Sequence, residues 1–236
     1  MSFGVASLII KVDRVRSSRE ATTLEKLGAK LIGVSLSPDP RFDDGRTLRV
    51  EEAGEIGRTL EQATLVATLE LNDDPRRIRR IVAAAGARLV QPVTVGVPPA
   101  EVRVALRDAG IGIVYSGIEI AHDDDPAWIF DAYDGTPDLN AAFFQAEVLP
   151  EYRGSWAFLR DRSPEYQEEF QIADLNGLAA ERPLLVGFDY TADNVEEIVT
   201  TLPEVQGIAL TLAERVRRGD ARGQLYTDAV RVLRAL

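Results

Sequence analysis

Residues 7–36 read SLIIKVDRVRSSREATTLEKLGAKLIGVSL, and this stretch decides the fold. Its two ends, 7–12 and 31–36, are short runs of β-branched and aliphatic residues with the length of a buried strand. Between them, 18–27 has the pattern of an amphipathic helix, and Gly28 follows Leu27 where a left-handed C-cap sits. A strand, a helix and a strand in this order form the unit of a parallel sheet with crossover helices.

The unit recurs to the end of the chain. Further strand-like runs at 64–71, 89–93, 111–118, 155–159, 184–188 and 206–210 bring the total to eight. Helical patterns at 50–60, 75–85 and 192–200 lie between them; Asp74-Pro75 opens the second of these and Gly86 closes it. Eight such units in 236 residues predict a closed (β/α)8 TIM barrel, which typically needs about 250, rather than an open doubly wound α/β sheet. No composition shift or Ser/Gly-rich linker divides the chain, so 1–236 reads as a single domain. Two stretches break the rhythm. An enlarged loop at 37–49, which includes SPDPRFDDG at 37–45, is charged, rich in turn formers and long enough to be a lid on the catalytic face. An enlarged connection between the fifth and sixth strands, at 121–154, holds Trp128, Phe130, Tyr133, Phe143, Phe144 and Tyr152, whose rings need burial against the barrel or a partner.

Composition narrows the chemistry. With 45% apolar residues the chain can fill a core, and 27 Lys+Arg against 38 Asp+Glu give a net charge of −11, which repels phosphate backbones and anionic lipid. No nucleic-acid or membrane partner is therefore expected. The basic run Arg76, Arg77, Arg79, Arg80 lacks aromatic neighbours and reads as a solvated helix face or an oligomer contact, with a monomer or homodimer as the expected state. There is no cysteine, which excludes thiolate catalysis and thiolate metal sites, and the single histidine, His122, excludes a multi-histidine centre within one chain. His122 precedes Asp123-Asp124-Asp125-Pro126, a run that reads as a helix start more simply than as a base. The apolar run at 3–10 is too short to span a membrane and lacks the features of a signal peptide, so a cytoplasmic location is expected. Acid–base work falls to carboxylates, lysine or tyrosine, with no cofactor and no assigned metal.

Ile10-Lys11-Val12-Asp13-Arg14-Val15, then Glu20-Ala21 and Leu27-Gly28-Ala29 leading to Ile32-Gly33-Val34, resemble the start of phosphoribosylanthranilate isomerases, whose first strand reads Lys-Ile-Cys-Gly-Ile. The likeness continues through Asn72-Asp73-Asp74-Pro75 with Ile78, through Val90-Gln91, and through Thr191-Ala192-Asp193-Asn194-Val195. Each motif is weak alone; their order and spacing carry the resemblance. It implies a barrel in which a base ends strand one and an acid ends strand six of an Amadori rearrangement. Asp13 stands at the cysteine base, and Asp161 is the preferred match for the aspartate acid, with Asp131 as its competitor. Arg46 matches the arginine that holds the substrate carboxylate, with Arg41 and Arg49 as rivals. The family's glycine-rich phosphate turns are absent from their expected places: 164–169 has no glycine, Phe188-Asp189 stands where Gly-Gly is expected, and Thr211-Leu212-Ala213 where Ser-Ser-Gly is expected. A phosphate facing Glu165 and Asp189 would meet like charge, so the phosphate site is read as lost, although Arg215, Arg217 and Arg218 offer a replacement by side-chain charge.

The residues therefore predict a diverged acid–base isomerase or cyclase in biosynthetic metabolism, with catalytic Asp13 and Asp161. Lys11, Arg46, Glu70, Gln91, Glu119 and Asp189 are the substrate-binding candidates on a small, non-phosphorylated molecule. Lys11 is two residues from Asp13 and so on the same strand face. Glu70 and Glu119 interrupt apolar strands near their C-terminal ends, and with Asp13, Asp161, Glu165 and Asp189 would form an acidic mouth suited to a cationic amine or divalent metal. The plainer readings are that Asp13 pairs with Lys11 or Arg14, that Asp161 is neutralised by Arg160 or Arg162, and that the other acids are solvated surface. A barrel that has lost catalysis and serves as a scaffold, its mouth plugged by Phe188 and Leu212, is the alternative. Retention of the family reaction with a rebuilt phosphate site is another.

Overall fold

Alternation of side chains along each strand sends one set toward a central axis and the other toward the helices. A computed structural model describes residues 8–217 and 222–236. Its strands are β1 (Ile9–Asp13), β2 (Leu31–Ser35), β3 (Thr64–Leu69), β4 (Leu89–Pro92), β5 (Gly112–Ile120), β6 (Ala141–Val148), β7 (Leu184–Gly187) and β8 (Gly207–Thr211). They pair in parallel in chain order and close through β1 and β8, giving the expected (β/α)8 barrel. The helices are α1 (Ser18–Lys26), α2 (Val50–Thr59), α3 (Pro75–Ala85), α4 (Ala100–Asp108), α5 (Asp131–Asp134), α6 (Ser155–Asp161), α7 (Ile172–Glu181), α8 (Val195–Thr201) and α9 (Tyr226–Arg234).

Local signals fix the helix ends. Ser17 accepts from the Glu20 amide at the start of α1, and Asp74 accepts from the Arg76 amide with Pro75 in the first turn of α3. Gly86, at φ 71°, ends α3 in the left-handed region that glycine tolerates, so this helix has the bounds its sequence predicts. Ile10, Val12, Ile32, Ala67, Val90 and Ile113 point outward into the main core beneath the helices. A second, smaller core fills the barrel interior: Leu31, Val66, Val114, Leu185 and Ala209, with Ile9, Leu89 and Phe143 against them.

Seven strands fall within a few residues of expectation; the sixth does not. Residues 155–159 are helix α6, and β6 is Ala141–Val148, paired with β5 and β7. Trp156 and Leu159 form the buried face of a short amphipathic helix, and an apolar run of five residues fits a strand equally well on pattern alone. The enlarged connection between β5 and β6 is consequently 121–140 rather than 121–154, and its helix α5 is a single turn. The aromatics mostly find the barrel. Tyr115, Phe130, Tyr133 and Phe144 pack ring to ring at 5.2–6.2 Å, Tyr152 stacks on Phe158 at 3.8 Å, and Trp128 stays 72% exposed. Ser7, the expected start of the first strand, and Arg218 lie outside the described residues. Among the described residues no helix is long and apolar enough to cross a membrane.

Candidate active site

Above the apolar interior the inward positions turn polar. Lys11 on β1 is fully buried, and its ammonium donates to Gln91 Oε1 on β4 at 2.8 Å, to Gln145 Oε1 on β6 at 2.7 Å and to Asp13. Three N–H donors thus meet three acceptors, the condition for keeping a charged amine inside a barrel. Burial still pulls the Lys11 ammonium below its ordinary value, against the opposing pull of Asp13 and Glu147.

The next layer is the mouth. Asp13, Ser35, Thr68, Ser116, Glu147 and Thr211 line a cavity of about 30 Å³ with Arg14, Asp39, Arg41, Glu119 and Arg222. That volume, with the loop after β2 closed over it, has room for water. Two glycines make room for the carboxylates: a Cβ on Gly33 would collide with Asp13, and one on Gly187 would collide with Glu147. Asp13 Oδ2 takes the Lys11 ammonium, whereas Oδ1 is buried without a partner. Burial holds the Glu147 carboxyl above the ordinary carboxylate range; nearby Arg222 and Arg41 pull it down and Asp13 pushes it further up. Arg222 spans the ends of β6 and β7 by donating to the carbonyls of Gly187 at 3.0 Å, Val148 at 2.7 Å and Leu149 at 2.6 Å. Arg41 is held by Asp39 through Nε at 3.1 Å and Nη2 at 2.8 Å.

The loop that follows β2 covers this cavity. Phe42 lies under the Arg14 guanidinium at 4.1 Å, Asp44 pairs with Arg14, and the loop is strapped to the segment after β8 through Asp43–Arg217 at 2.9 Å and the Arg217 amide on the Arg41 carbonyl at 2.8 Å. The enlarged 37–49 loop has the position of a lid.

The expected site residues divide. Asp13, Lys11, Gln91 and Glu119 come together at or directly beneath the mouth. Asp161 does not: it lies on the outer helix α6 with its side chain 53% exposed, held by Arg160 through two bonds of 2.6 Å. Its rival Asp131 is exposed on α5. Both matches depended on a misplaced strand six, and the carboxylate that β6 delivers to the cavity is Glu147. Arg46 is also displaced. Buried behind β1, its Nη1 donates to the Arg14 carbonyl and to Glu20, each at 3.1 Å, so it braces the backbone; its rival Arg41 reaches the cavity, while Arg49 is exposed beside Glu52. Glu70 is exposed just past β3. Asp189 points away from the cavity and accepts from Ser155 Oγ at 2.6 Å and the Trp156 amide at 3.2 Å, capping α6. The expected acidic ring is therefore replaced by a mouth of mixed charge, with four carboxylates, Asp13, Asp39, Glu119 and Glu147, and three guanidiniums, Arg14, Arg41 and Arg222. The scaffold reading's plug is absent as well, because Phe188 and Leu212 belong to the outer core. His122 sits at the rim on Glu151 at 3.1 Å. The turn after strand six is 149–154 rather than 164–169 and does contain a glycine, Gly154 at φ 78°, but the Ser155 hydroxyl and Trp156 amide that follow it already hold the Asp189 carboxylate.

Comparison with known proteins agrees with this architecture. No family model matches the chain. The N-(5'-phosphoribosyl)anthranilate isomerase of Syntrophomonas wolfei is 34% identical over 82 residues, which is 35% of this chain and 38% of that relative's length. Phosphoribosylanthranilate isomerase structures superimpose on nearly the whole barrel: that from Thermus thermophilus at TM-score 0.61 and 17% identity, covering 97% of this chain and 98% of that one, and that from Pyrococcus furiosus at 0.64 and 14%, covering 97% and 100%. A third, solved with reduced 1-(o-carboxyphenylamino)-1-deoxyribulose 5-phosphate, gives 0.65 at 12% identity over 96% and 97%. The chain is similar to the phosphoribosylanthranilate isomerases, in fold over almost its full length and in sequence over about a third of it.

Proposed function

We propose that the protein is an acid–base isomerase or cyclase of a small, non-phosphorylated substrate, with Asp13 as base and Glu147 as acid. One observation carries this reading: two carboxylates from β1 and β6 share a cavity in unlike surroundings, Asp13 on the Lys11 ammonium with one oxygen unpartnered, Glu147 with its proton favoured by burial. Pairs of this kind let one group remove a proton from carbon while the other delivers one to a heteroatom, each typically contributing about 10²–10⁴ in rate. Arg41, rather than Arg46, reaches the cavity and adds cationic charge beside Glu147. Loss of the phosphate site is supported by Asp189 on the Ser155 hydroxyl and Trp156 amide of α6 and by Arg222, which donates to strand-end carbonyls.

The test begins with a thermal-shift screen of amino acids, sugar acids and amines. Any ligand that binds is followed by NMR in deuterium oxide for isomerisation or solvent exchange. Asp13→Asn and Glu147→Gln are each expected to abolish that turnover while Asp161→Asn leaves it intact; full activity in both mouth variants eliminates the assignment. Turnover of N-(5'-phosphoribosyl)anthranilate, which we expect to be absent, would instead support retention of the family reaction.

The small cavity under a strapped loop favours a second reading, a barrel that binds no substrate and acts as a scaffold. Hydrogen exchange separates the two. If the mouth opens, amides of 37–49 exchange far faster than those of β1 and β8; equal protection would favour the scaffold.

A further inference from the structure

Arg14 has a backbone that arginine does not choose. It directly follows β1 at φ 64°, in the left-handed region where an L side chain is strained and glycine is at home. Its side chain is 5% exposed. Nε donates to the Leu212 carbonyl at 3.1 Å and Nη2 to Asp44 of the lid at 2.5 Å, but Nη1 is buried with no partner, and the residue lines the mouth. The preceding residue, which lines the same mouth, carries the complementary group: Asp13 Oδ1 is a buried acceptor without a donor, beside Gly33. A native fold leaves such groups unsatisfied rarely, and a ligand is one reason it does so.

We infer that Arg14 is the specificity-determining residue of the mouth, holding through Nη1 the carboxylate of a substrate whose neighbouring hydroxyl or amino group donates to Asp13 Oδ1. The ligand class is thus a small 2-hydroxy or 2-amino carboxylic acid. An orphan donor calls for an acceptor and an orphan acceptor for a donor, so neither a simple amine nor a plain alkyl acid satisfies both. A phosphate dianion brings a second negative charge close to Asp13, Asp39, Glu119 and Glu147, which disfavours it relative to a carboxylate. Because Arg14 also contacts Phe42 and Asp44, the group that grips the ligand is the group on which the lid rests.

This inference rests on the mouth being a substrate site, and its test is binding rather than turnover. Glycolate, acetate, inorganic phosphate and ethanolamine are titrated calorimetrically against the full chain, Arg14→Gly, Arg14→Lys and Asp161→Asn. Glycine fits the left-handed backbone, so Arg14→Gly is expected to fold, which its melting curve checks; Arg14→Lys keeps the charge without the planar fork. We expect saturable glycolate binding, weaker acetate binding, none with phosphate or ethanolamine, at least a tenfold rise in the glycolate Kd in Arg14→Gly, a smaller rise in Arg14→Lys and no change in Asp161→Asn. No glycolate binding to the unaltered protein, phosphate binding as tight as glycolate, or an unchanged Kd in Arg14→Gly overturns the inference. A ligand bound through Arg14 that is never isomerised or exchanged would remove the acid–base reading and leave this one standing. Turnover with an unaltered KM in Arg14→Gly would do the reverse.

Discussion

Glu147 is where the electrostatics of the mouth become measurable. Its carboxyl is raised by burial from an ordinary value of 4.5, so above that pH the folded protein holds more protons than the unfolded chain. Stability therefore falls as pH rises from about 4.5 through the raised value, because the folded state must then ionise a buried group. Glu147→Gln removes this liability. Urea unfolding of both proteins across about pH 4–8 should show the variant gaining on the wild type as pH increases, and a pH-independent difference would mean that the carboxyl titrates normally. Gly33 offers the steric counterpart: its alanine variant drives a methyl into the Asp13 carboxylate and should cost roughly 1–3 kcal/mol in the same assay. Asp13 and Gln91 were reached through the resemblance of their strands to the family's, and Lys11 because a residue two positions from Asp13 on a short strand shares its face. The same signal, Gln145 and Glu147, was present on β6 and was missed because Phe143, Phe144 and two alanines around them blur the strand into the aromatic stretch. Arg14 was legible only as a charged neighbour; that it stands in a left-handed conformation is a property of the folded backbone.

At the scale of elements, α6 shows why one unit of eight was misread. Its N-terminus follows Gly154 with no local side-chain cap, and the cap it has comes from Asp189, more than thirty residues along the chain. Local capping signals identified α1 and α3; a cap from a distant loop leaves no trace near the helix it serves. Asp189→Ala is accordingly expected to destabilise the protein by about 1 kcal/mol in urea unfolding, as loss of an N-cap does, with faster amide exchange confined to α6 and the 149–154 turn. An unchanged midpoint would show that the Trp156 amide and Ser155 hydroxyl find solvent as good a partner. The long loop after β2 was legible for a different reason. Turn formers and charges mark it, and the barrel's topology alone puts it at the C-terminal ends of the strands. What sequence could not supply is its anchor, because Asp43 and Arg217 meet only when β8 has closed against β1.

That closure is the property of the whole molecule on which the mouth depends. β1 pairs with β8 over five residues, from Ile9 with Gly207 to Asp13 with Thr211, and the seam brings the first strand's carboxylate next to the last strand's end. Gly207 sits so tightly at the start of the seam that a Cβ there would strike the Ile9 backbone, a neighbour that cannot turn aside as a flexible side chain would. Gly177, inside α7, has open space around its missing Cβ and no left-handed φ to protect. The two glycines therefore give opposite predictions for the same substitution. Gly177→Ala should stabilise by about 0.5–1 kcal/mol, since alanine lowers the entropy lost in forming the helix. Gly207→Ala should destabilise by more than about 3 kcal/mol, beyond ordinary overpacking, because the strands must part to admit the methyl. Amide exchange is then expected to rise in β1 and β8 first and to carry the 37–49 loop with it. Equal effects of the two substitutions on the urea midpoint would mean that the barrel is not held at this seam, and that the meeting of Asp13 with Glu147 does not require it.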